Sequence, residues 1–302
     1  MTLKLKILSV TIVVLLAAII LSLLPGTTTT AADTETSAFT LTDSATTDQF
    51  VFGNVALRKA DNETWTVNGK FPADPVLIER MFSIMQRIEV KRSVADNVRA
   101  ELVNEIKQNG IDVKIMTNGN VDKTYRVIGK ENDTFAQDQS GEVYAVYVPG
   151  YDVALYEMFG LGENGWRNRT ILSTSARTLR KLELKYPAKP EFDFTVASKL
   201  PFFEVSGIKN LDSAMVFNYV QAFQQVRALR YLDDAALKDS LKKVQPYCLI
   251  SVQDIDSSRD NTLAVYGNDT SIYGLLGKTG EVVLFEPQYF TRYLVRKKDF
   301  EK

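Results

Sequence analysis

The sequence has no histidine and a single cysteine in 302 residues. Without histidine there is no Ser-His or Cys-His nucleophile pair and no His-ligated zinc or haem, and the commonest general base is missing. One thiol, Cys248, allows neither an intramolecular disulfide nor a Cys-ligated metal cluster. Inside the apolar run Tyr247-Cys248-Leu249-Ile250 it reads as a buried small hydrophobe and not as a reactive group. An excess of either charge is lacking too: 36 Lys+Arg stand against 37 Asp+Glu, a net charge of -1, with no strongly basic domain to hold a phosphate backbone. The expectation is no nucleic-acid partner, no metal and no cofactor. What is present is an ordinary globular composition, 45% hydrophobic and 24% charged, enough for one large or two medium domains.

The first feature along the chain is Ile7 to Leu24, an apolar run broken only by Ser9, Thr11 and Ser22 and preceded by Lys4 and Lys6. As a helix it measures ~27 Å, close to a hydrocarbon core of ~30 Å and longer than the core of a cleaved signal. Residues 1–24 are expected to form a cytoplasmic tip and a transmembrane signal anchor; a cleaved signal peptide ending near Ala31-Ala32 is the alternative. Residues 25–47, rich in Thr, Ala, Ser and Asp, are expected to be a flexible tether with a span of roughly 25 to 30 Å.

Beyond the tether the chain repeats itself loosely. At a spacing of 138 residues Asp74 falls on Asp212, Trp65-Thr-Val67-Asn-Gly69 on Phe203-Glu-Val205-Ser-Gly207, Thr124-Tyr-Arg-Val127-Ile-Gly129 on Thr262-Leu-Ala-Val265-Tyr-Gly267, and Pro149 on Pro287. So long a period indicates a duplicated unit and not a solenoid. The expected domains are a first repeat over 48–160, a joint over 161–175 and a second repeat over 176–302.

Within the first repeat, Phe50 and Phe52, Val55 and Leu57, and Trp65 and Val67 alternate as in half-buried antiparallel strands. Asp74-Pro75 starts a helix, with the aspartate as N-cap and proline at the first helical position. Its apolar stripe is Leu77, Ile78, Met81, Ile84, Met85 and Ile88. A second helix carries Val98, Leu102 and Ile106 and stops at Asn109-Gly110. Strands follow over Ile111–Ile115, Thr124–Ile128 and Glu142–Val148, then a short helix over Asp152–Phe159. In the second repeat the paired residues Leu182 and Leu184, Phe192 and Phe194, and Phe203 and Val205 mark strands. Asp212 caps a helix with the stripe Val216, Tyr219, Phe223 and Val226, and Leu237, Leu241 and Val244 form another. Four strands are expected next, around Cys248–Val252, Leu263–Tyr266, Ser271–Leu275 and Val282–Phe285, and a last helix near Gln288–Lys298. The fold class is α+β: two tandem related copies, each a mainly antiparallel sheet with paired helices, after an N-terminal transmembrane helix.

Three motifs bear on chemistry. Gly160-Leu-Gly162-Glu-Asn-Gly165 fits G-x-G-x-x-G, but a helix and not a strand is expected before it, so it does not read as a dinucleotide site. Asp254-Ile-Asp256-Ser-Ser-Arg-Asp260 begins like a calcium loop; Arg259 stands where glycine is needed and no glutamate closes the loop, so a hairpin turn is the reading. Trp166-Arg167-Asn168-Arg169 has two readings. The residue types are those of interface hot spots, which makes Trp166, Arg167 and Arg169 candidates for contact with a partner. The preferred reading is a clamp, with Trp166 packed between the repeats and the arginines bonding carboxylates or strand ends.

The order of Trp65-Thr-Val-Asn-Gly69, the helix after Asp74, Ile88-Glu-Val90, Val148-Pro149-Gly150-Tyr151 and Trp166-Arg167-Asn168-Arg169-Thr170 resembles the bacterial family known as domain of unknown function 4340 (DUF4340). The resemblance covers roughly residues 48 to 275, and the Val-Pro-Gly and Trp-Arg-x-Arg pieces are its most specific parts. Pro149 and Gly150 thereby join the candidate residues. Members commonly carry Asp within Trp-Arg-Asp-Arg, where this chain has Asn168. The resemblance implies a single inner-membrane anchor, an exported periplasmic domain and, for some relatives, a link to gliding-type ABC transporter components; it implies no activity and no catalytic residue. The expected function is binding, as an accessory of an envelope or transporter-type complex with a protein partner in the cell envelope. The alternative is a periplasmic hydrolase or carbohydrate-active enzyme using carboxylates alone.

Overall fold

The computed structural model describes residues 36–61, 63–151, 155–199, 202–267 and 270–302. The Ile7–Leu24 segment expected to span a membrane lies outside these residues, as does the first part of the expected tether. Among the described residues no helix is long and apolar enough to cross a membrane.

The protein is α+β with mainly antiparallel sheet. The first series of elements is β1 (Thr47–Phe52), β2 (Val55–Lys59), β3 (Trp65–Val67), β4 (Phe71–Pro72), α1 (Pro75–Met85), β5 (Glu89–Ser93), α2 (Asp96–Asn109), β6 (Ile111–Thr117), β7 (Asn120–Lys130), β8 (Asp133–Gln137) and β9 (Val143–Tyr147). Two short helices follow, α3 (Leu155–Phe159) and α4 (Gly162–Trp166), and then β10 (Thr170–Leu172). The second series is β11 (Leu179–Lys185), β12 (Phe194–Lys199), β13 (Phe202–Val205), α5 (Ser213–Ala222), β14 (Val226–Arg227), β15 (Arg230–Leu232), α6 (Ala235–Lys243), β16 (Cys248–Asp254), β17 (Asn261–Gly267), β18 (Ile272–Leu276), β19 (Val282–Phe285) and α7 (Pro287–Phe290).

These elements form two compact units. Of the described residues, one takes in 36–47 together with Phe82–Glu157; the other joins Asp48–Met81 to Met158–Lys302. This partition differs from the sequential one expected from the 138-residue spacing. The segment Asp48–Met81 belongs with the second half because its side chains find their partners there, as the site below makes explicit.

In the first unit, β6 to β9 form an antiparallel run that β5 extends by pairing with β9. Asn118-Gly119, both with positive φ (51° and 76°), make the two-residue turn between β6 and β7, the geometry that matches strand twist. Leu102 and Ile106 of α2 pack on Ile128, Phe135, Val143 and Ala145. Val98, expected in the same stripe, is exposed because it sits in the first turn, ahead of the sheet. The stop at Gly110 has a steric cause: its φ is -69°, and a Cβ there would lie 2.4 Å from the Ile106 carbonyl oxygen. Residues 36–46 do not behave as the expected tether. Phe39 is fully buried edge-on to Tyr125 and Tyr144, and the Leu41 amide donates to the Met85 carbonyl. Two aromatic contacts and a backbone bond outweigh the polar composition around them.

In the second unit an eight-stranded antiparallel sheet runs β13-β12-β11-β16-β17-β18-β19-β15. One face packs on α5 and the C-terminal turns through Phe194, Phe223, Phe285 and Phe300. On the other face α6 covers a smaller patch with Leu241 over Tyr266 and Val282. Neighbouring Val265 and Tyr266 fall in different clusters, as the two-residue period of a strand requires. Cys248 is buried in the larger core, and burial pushes its thiol up to about 12, so it packs and does not react. The expected last helix over Gln288–Lys298 is instead α7 followed by 3-10 turns at Thr291–Tyr293 and Lys297–Phe300; Leu294, at φ -95° and ψ 65°, breaks it. Phe192, expected on a strand, sits in a 3-10 turn with proline at its first position.

Candidate functional site

The helix start at Asp74 is the centre of the site, all of it within the second unit. Asp74 caps α1 as expected, Oδ1 accepting from the Val76 amide at 3.1 Å. Its side chain is also wholly inaccessible to solvent, and Oδ2 receives the Arg227 guanidinium. Arg169 Nε lies 3.8 Å from the same oxygen, beyond hydrogen-bond reach and without another partner among the described residues. A carboxylate taken out of water this completely is costly unless it is paired and hydrogen-bonded, and here both conditions are met.

The Trp166–Arg169 segment reaches Asp74 through its backbone. Ala73 and Arg167 form an isolated antiparallel bridge, the Asp74 amide donates to the Trp166 carbonyl at 2.9 Å, and the Asn168 amide donates to Pro72 at 2.8 Å. Arg167 and Asn168 thus lie antiparallel to the end of β4 directly after α4. Trp166 is fully enclosed, stacked on Phe52 with ring centroids 5.7 Å apart, and Phe52 meets Phe159 edge-on. The indole N–H has no hydrogen-bond partner among the described residues.

Arg167 is 7% exposed and lies between two rings, 3.7 Å from the centroid of Phe71 and 3.8 Å from that of Tyr231. Each cation–π contact of this kind is worth roughly 0.5–2 kcal/mol, the upper end when desolvated. Nη2 donates to Glu281 at 2.8 Å and Nη1 to Asn164 at 3.1 Å. Tyr231 donates its hydroxyl to the Asn168 carbonyl at 2.8 Å, and burial raises its phenol above the usual value. The Asn168 side-chain carbonyl accepts from the Thr170 amide at 2.9 Å, a bond that a carboxylate oxygen in its place would make equally. Arg169 Nη1 donates to Leu229, and its carbonyl accepts from Ala228. β10 then pairs with β14, which places Arg227 against Asp74.

Pro149 and Gly150 belong to the first unit. The Tyr151 amide donates to Val148 at 3.0 Å across them and Gly150 has φ +73°, the pattern of a type II turn with proline then glycine at its centre. Pro149 also offers its carbonyl to Arg87 at 2.8 Å. The Val-Pro-Gly piece is therefore a turn held by an arginine.

The Asp254 hairpin closes through a 3-10 turn at Ser257–Arg259. Asp254 is almost fully buried and accepts from the Thr174 and Thr178 hydroxyls at 2.6 and 2.8 Å. Burial pushes its carboxyl up, but these bonds and the Asp256 amide outweigh that and hold it below the ordinary 3.8. Among the described residues no group of three or more His, Cys, Asp or Glu is placed to hold a metal ion. The glycine run Gly160–Gly165 carries α4 and follows α3, with no strand leading into it.

The family whose description reads domain of unknown function (DUF4340) matches residues 64–244, more than half of the chain. The chain belongs to the DUF4340 family. No curated protein matches it, and no solved structure does. The DUF4340 match contains Asp74, Trp166–Arg169, Arg227 and Tyr231, so the cluster lies inside the family's own stretch except for Phe52 and Glu281. Of the cluster, reading the sequence singled out Trp166, Arg167 and Arg169 as side chains. Asp74 was legible only as a helix cap; Arg227, Phe71, Tyr231 and Glu281 carry no local pattern that marks them.

Proposed function

We propose that this DUF4340 protein acts by binding, as an accessory of an envelope or transporter-type complex, and that its Trp-Arg-Asn-Arg segment is a clamp and not the contact surface. The observation that carries the reading is the enclosure of Trp166 and Arg167. The residues best suited to recognition spend their rings and donors inside the second unit. What remains open to solvent is arginine with exposed Leu229 and Tyr289, a composition found at protein interfaces. The apolar run Ile7–Leu24 supports a membrane anchor with the folded part outside the cytoplasm.

We also propose that the chain is a duplication. With the two-residue strands β4 and β14 set aside, the two series share the order of three strands, helix, strand, helix, four strands, and in each the remaining strand between the helices, β5 or β15, pairs with the last of the four. The helix starts agree in finer detail: Ala73 bridges Arg167 as Leu211 bridges Glu301, and the Asp212 amide donates to Phe300 as that of Asp74 donates to Trp166. On this reading the expected joint is the closing segment of the first copy.

One observation favours the hydrolase alternative. A cavity of about 340 Å³ beside Arg167 is lined by Glu163, Asp233, Asp234 and Glu281. Three of these four carboxylates already serve as acceptors, for Asn68, for the Leu237 amide at the start of α6, and for Arg167. Crosslinking in native membranes, with identification of the captured protein, tests the binding reading. Turnover of glycoside or ester substrates by the purified chain, lost in Asp233→Asn, would refute it.

A further inference from the structure

We infer that the surface at β14 is a docking groove for an acidic, partly apolar peptide segment of a partner protein, an inference that rests on the binding reading. Two cavities, of about 480 and 270 Å³, meet at Gln225 and Arg227, which line both. The larger adds Arg259 and Lys278; the smaller adds Arg169 and Arg292. Five cations thus line one continuous strip, against two lining carboxylates, Asp260 and Glu286, and the enclosed Asp74 behind Arg227.

Ion pairing takes up part of this charge. Asp260 accepts from the Asp254 amide and Glu286 from the Gln288 side chain, bonds that leave both carboxylates charged. Arg227 is matched by Asp74, and Arg259 reaches Asp256 at 3.6 Å. Lys278 and Arg292 are exposed and have no ion-pair partner among the described residues; they donate only to the Ser258 carbonyl and the Tyr293 hydroxyl. Two cations without an ion pair, one in each cavity, within a lining of five cations to two carboxylates, suit anions spaced along an extended ligand. Apolar groups sit among them: Val76 in the larger cavity, Leu229 and Tyr289 in the smaller, each 45% exposed or more. Free phosphate would satisfy the charges alone. A peptide alternating carboxylates with apolar side chains satisfies both, and exposed aromatic and arginine groups are those that peptide recognition uses.

The test is fluorescence anisotropy of the full chain in detergent with a short labelled peptide alternating Glu with Leu and Tyr. Comparators are the same peptide with Lys for Glu, inorganic phosphate as competitor, and vesicles of phosphatidylglycerol with phosphatidylethanolamine. The expected result is saturable binding of the acidic peptide that weakens with salt. Lys278→Glu with Arg292→Glu weakens it roughly tenfold or more at an unchanged melting temperature, since neither side chain belongs to the clamp. Should that pair fail to fold, Lys278→Gln with Arg292→Gln replaces it, with a smaller loss in the same direction. Binding indifferent to both pairs, equal binding of the Lys peptide, or binding of phosphate or vesicles without the acidic peptide overturns the inference. If the charge-reversed protein still captures its partner in membranes, the binding reading stands and this surface is wrong.

Discussion

At Ala73-Asp74 and at Leu211-Asp212 the same backbone event occurs with different side chains. In both, an aspartate begins a helix, the residue before it bridges a returning segment, and its amide donates to the carbonyl of a buried aromatic residue, Trp166 in one case and Phe300 in the other. Asp212 then gives its carboxylate to the Ala214 and Met215 amides and stays at the surface. Asp74 gives one oxygen to Val76 and the other to Arg227. The residue after the aromatic differs in kind as well: Arg167 lies between two rings, while Glu301 is exposed. Backbone closure is thus common to both starts, and only one carries a buried charge. Both starts are closed by a buried ring, Trp166 against Phe52 and Phe300 against Phe194 and Tyr219; the first adds a buried ion pair and an arginine held between two rings.

The largest test of this contrast removes the aromatic plugs. Trp166→Ala is expected to destabilise by about 3–5 kcal/mol, and Phe300→Ala, which removes a smaller ring, by somewhat less, read from urea unfolding. Under a contact role for Trp166 the substitution would abolish partner capture and leave unfolding unchanged. Next comes the carboxylate. Asp74→Ala strands Arg227 and removes the cap, for about 2–4 kcal/mol after allowing for the water that still reaches Arg227; Asp212→Ala removes a surface cap alone, about 1 kcal/mol. Equal losses at the two positions would break the comparison. Gly150→Ala, which forces an alanine to φ +73°, should cost about 1 kcal/mol by the same measurement, with no effect on partner capture if the turn is only structural. The smallest effect is in acid. Asp254 is held below its ordinary 3.8, so its contribution to stability is present above that pH and is lost as pH falls through the lower folded value. Asp254→Asn should therefore flatten the stability profile below pH ~4 relative to the parent. An unchanged acid limb would mean that the Thr174 and Thr178 bonds do not favour the charged form.

Much of the secondary structure was readable because its causes are local. Asp74-Pro75, Asp212 and the stop at Gly110 fixed three helix ends, and alternation placed β1, β2, β3, β11 and β13. Elements lacking a local cause were missed. β5 is an exposed, charged strand, and β8 has three consecutive buried residues with no alternation. Phe39 and Leu41 were hidden in a polar stretch because burial depends on Tyr125, Tyr144 and Met85, far along the chain. The site divides in the same way. Arginine and tryptophan crowded into four residues drew attention to Trp166–Arg169, yet Arg227, 153 residues from Asp74, has nothing near it in sequence that says it will meet a carboxylate.

That separation has a consequence for biogenesis. Residues 48–81 leave the ribosome early, yet the groups that complete their unit are made only after the intervening stretch and much of the second half. At the usual rates of elongation, the nascent chain carries Asp74 without its counter-ion for on the order of ten seconds. The young polypeptide therefore holds Phe50, Phe52 and Trp65 without the ring of Trp166, which is a natural handle for a holding chaperone. Stop codons shortly after residue 160 should produce fragments that are degraded and not miniature proteins.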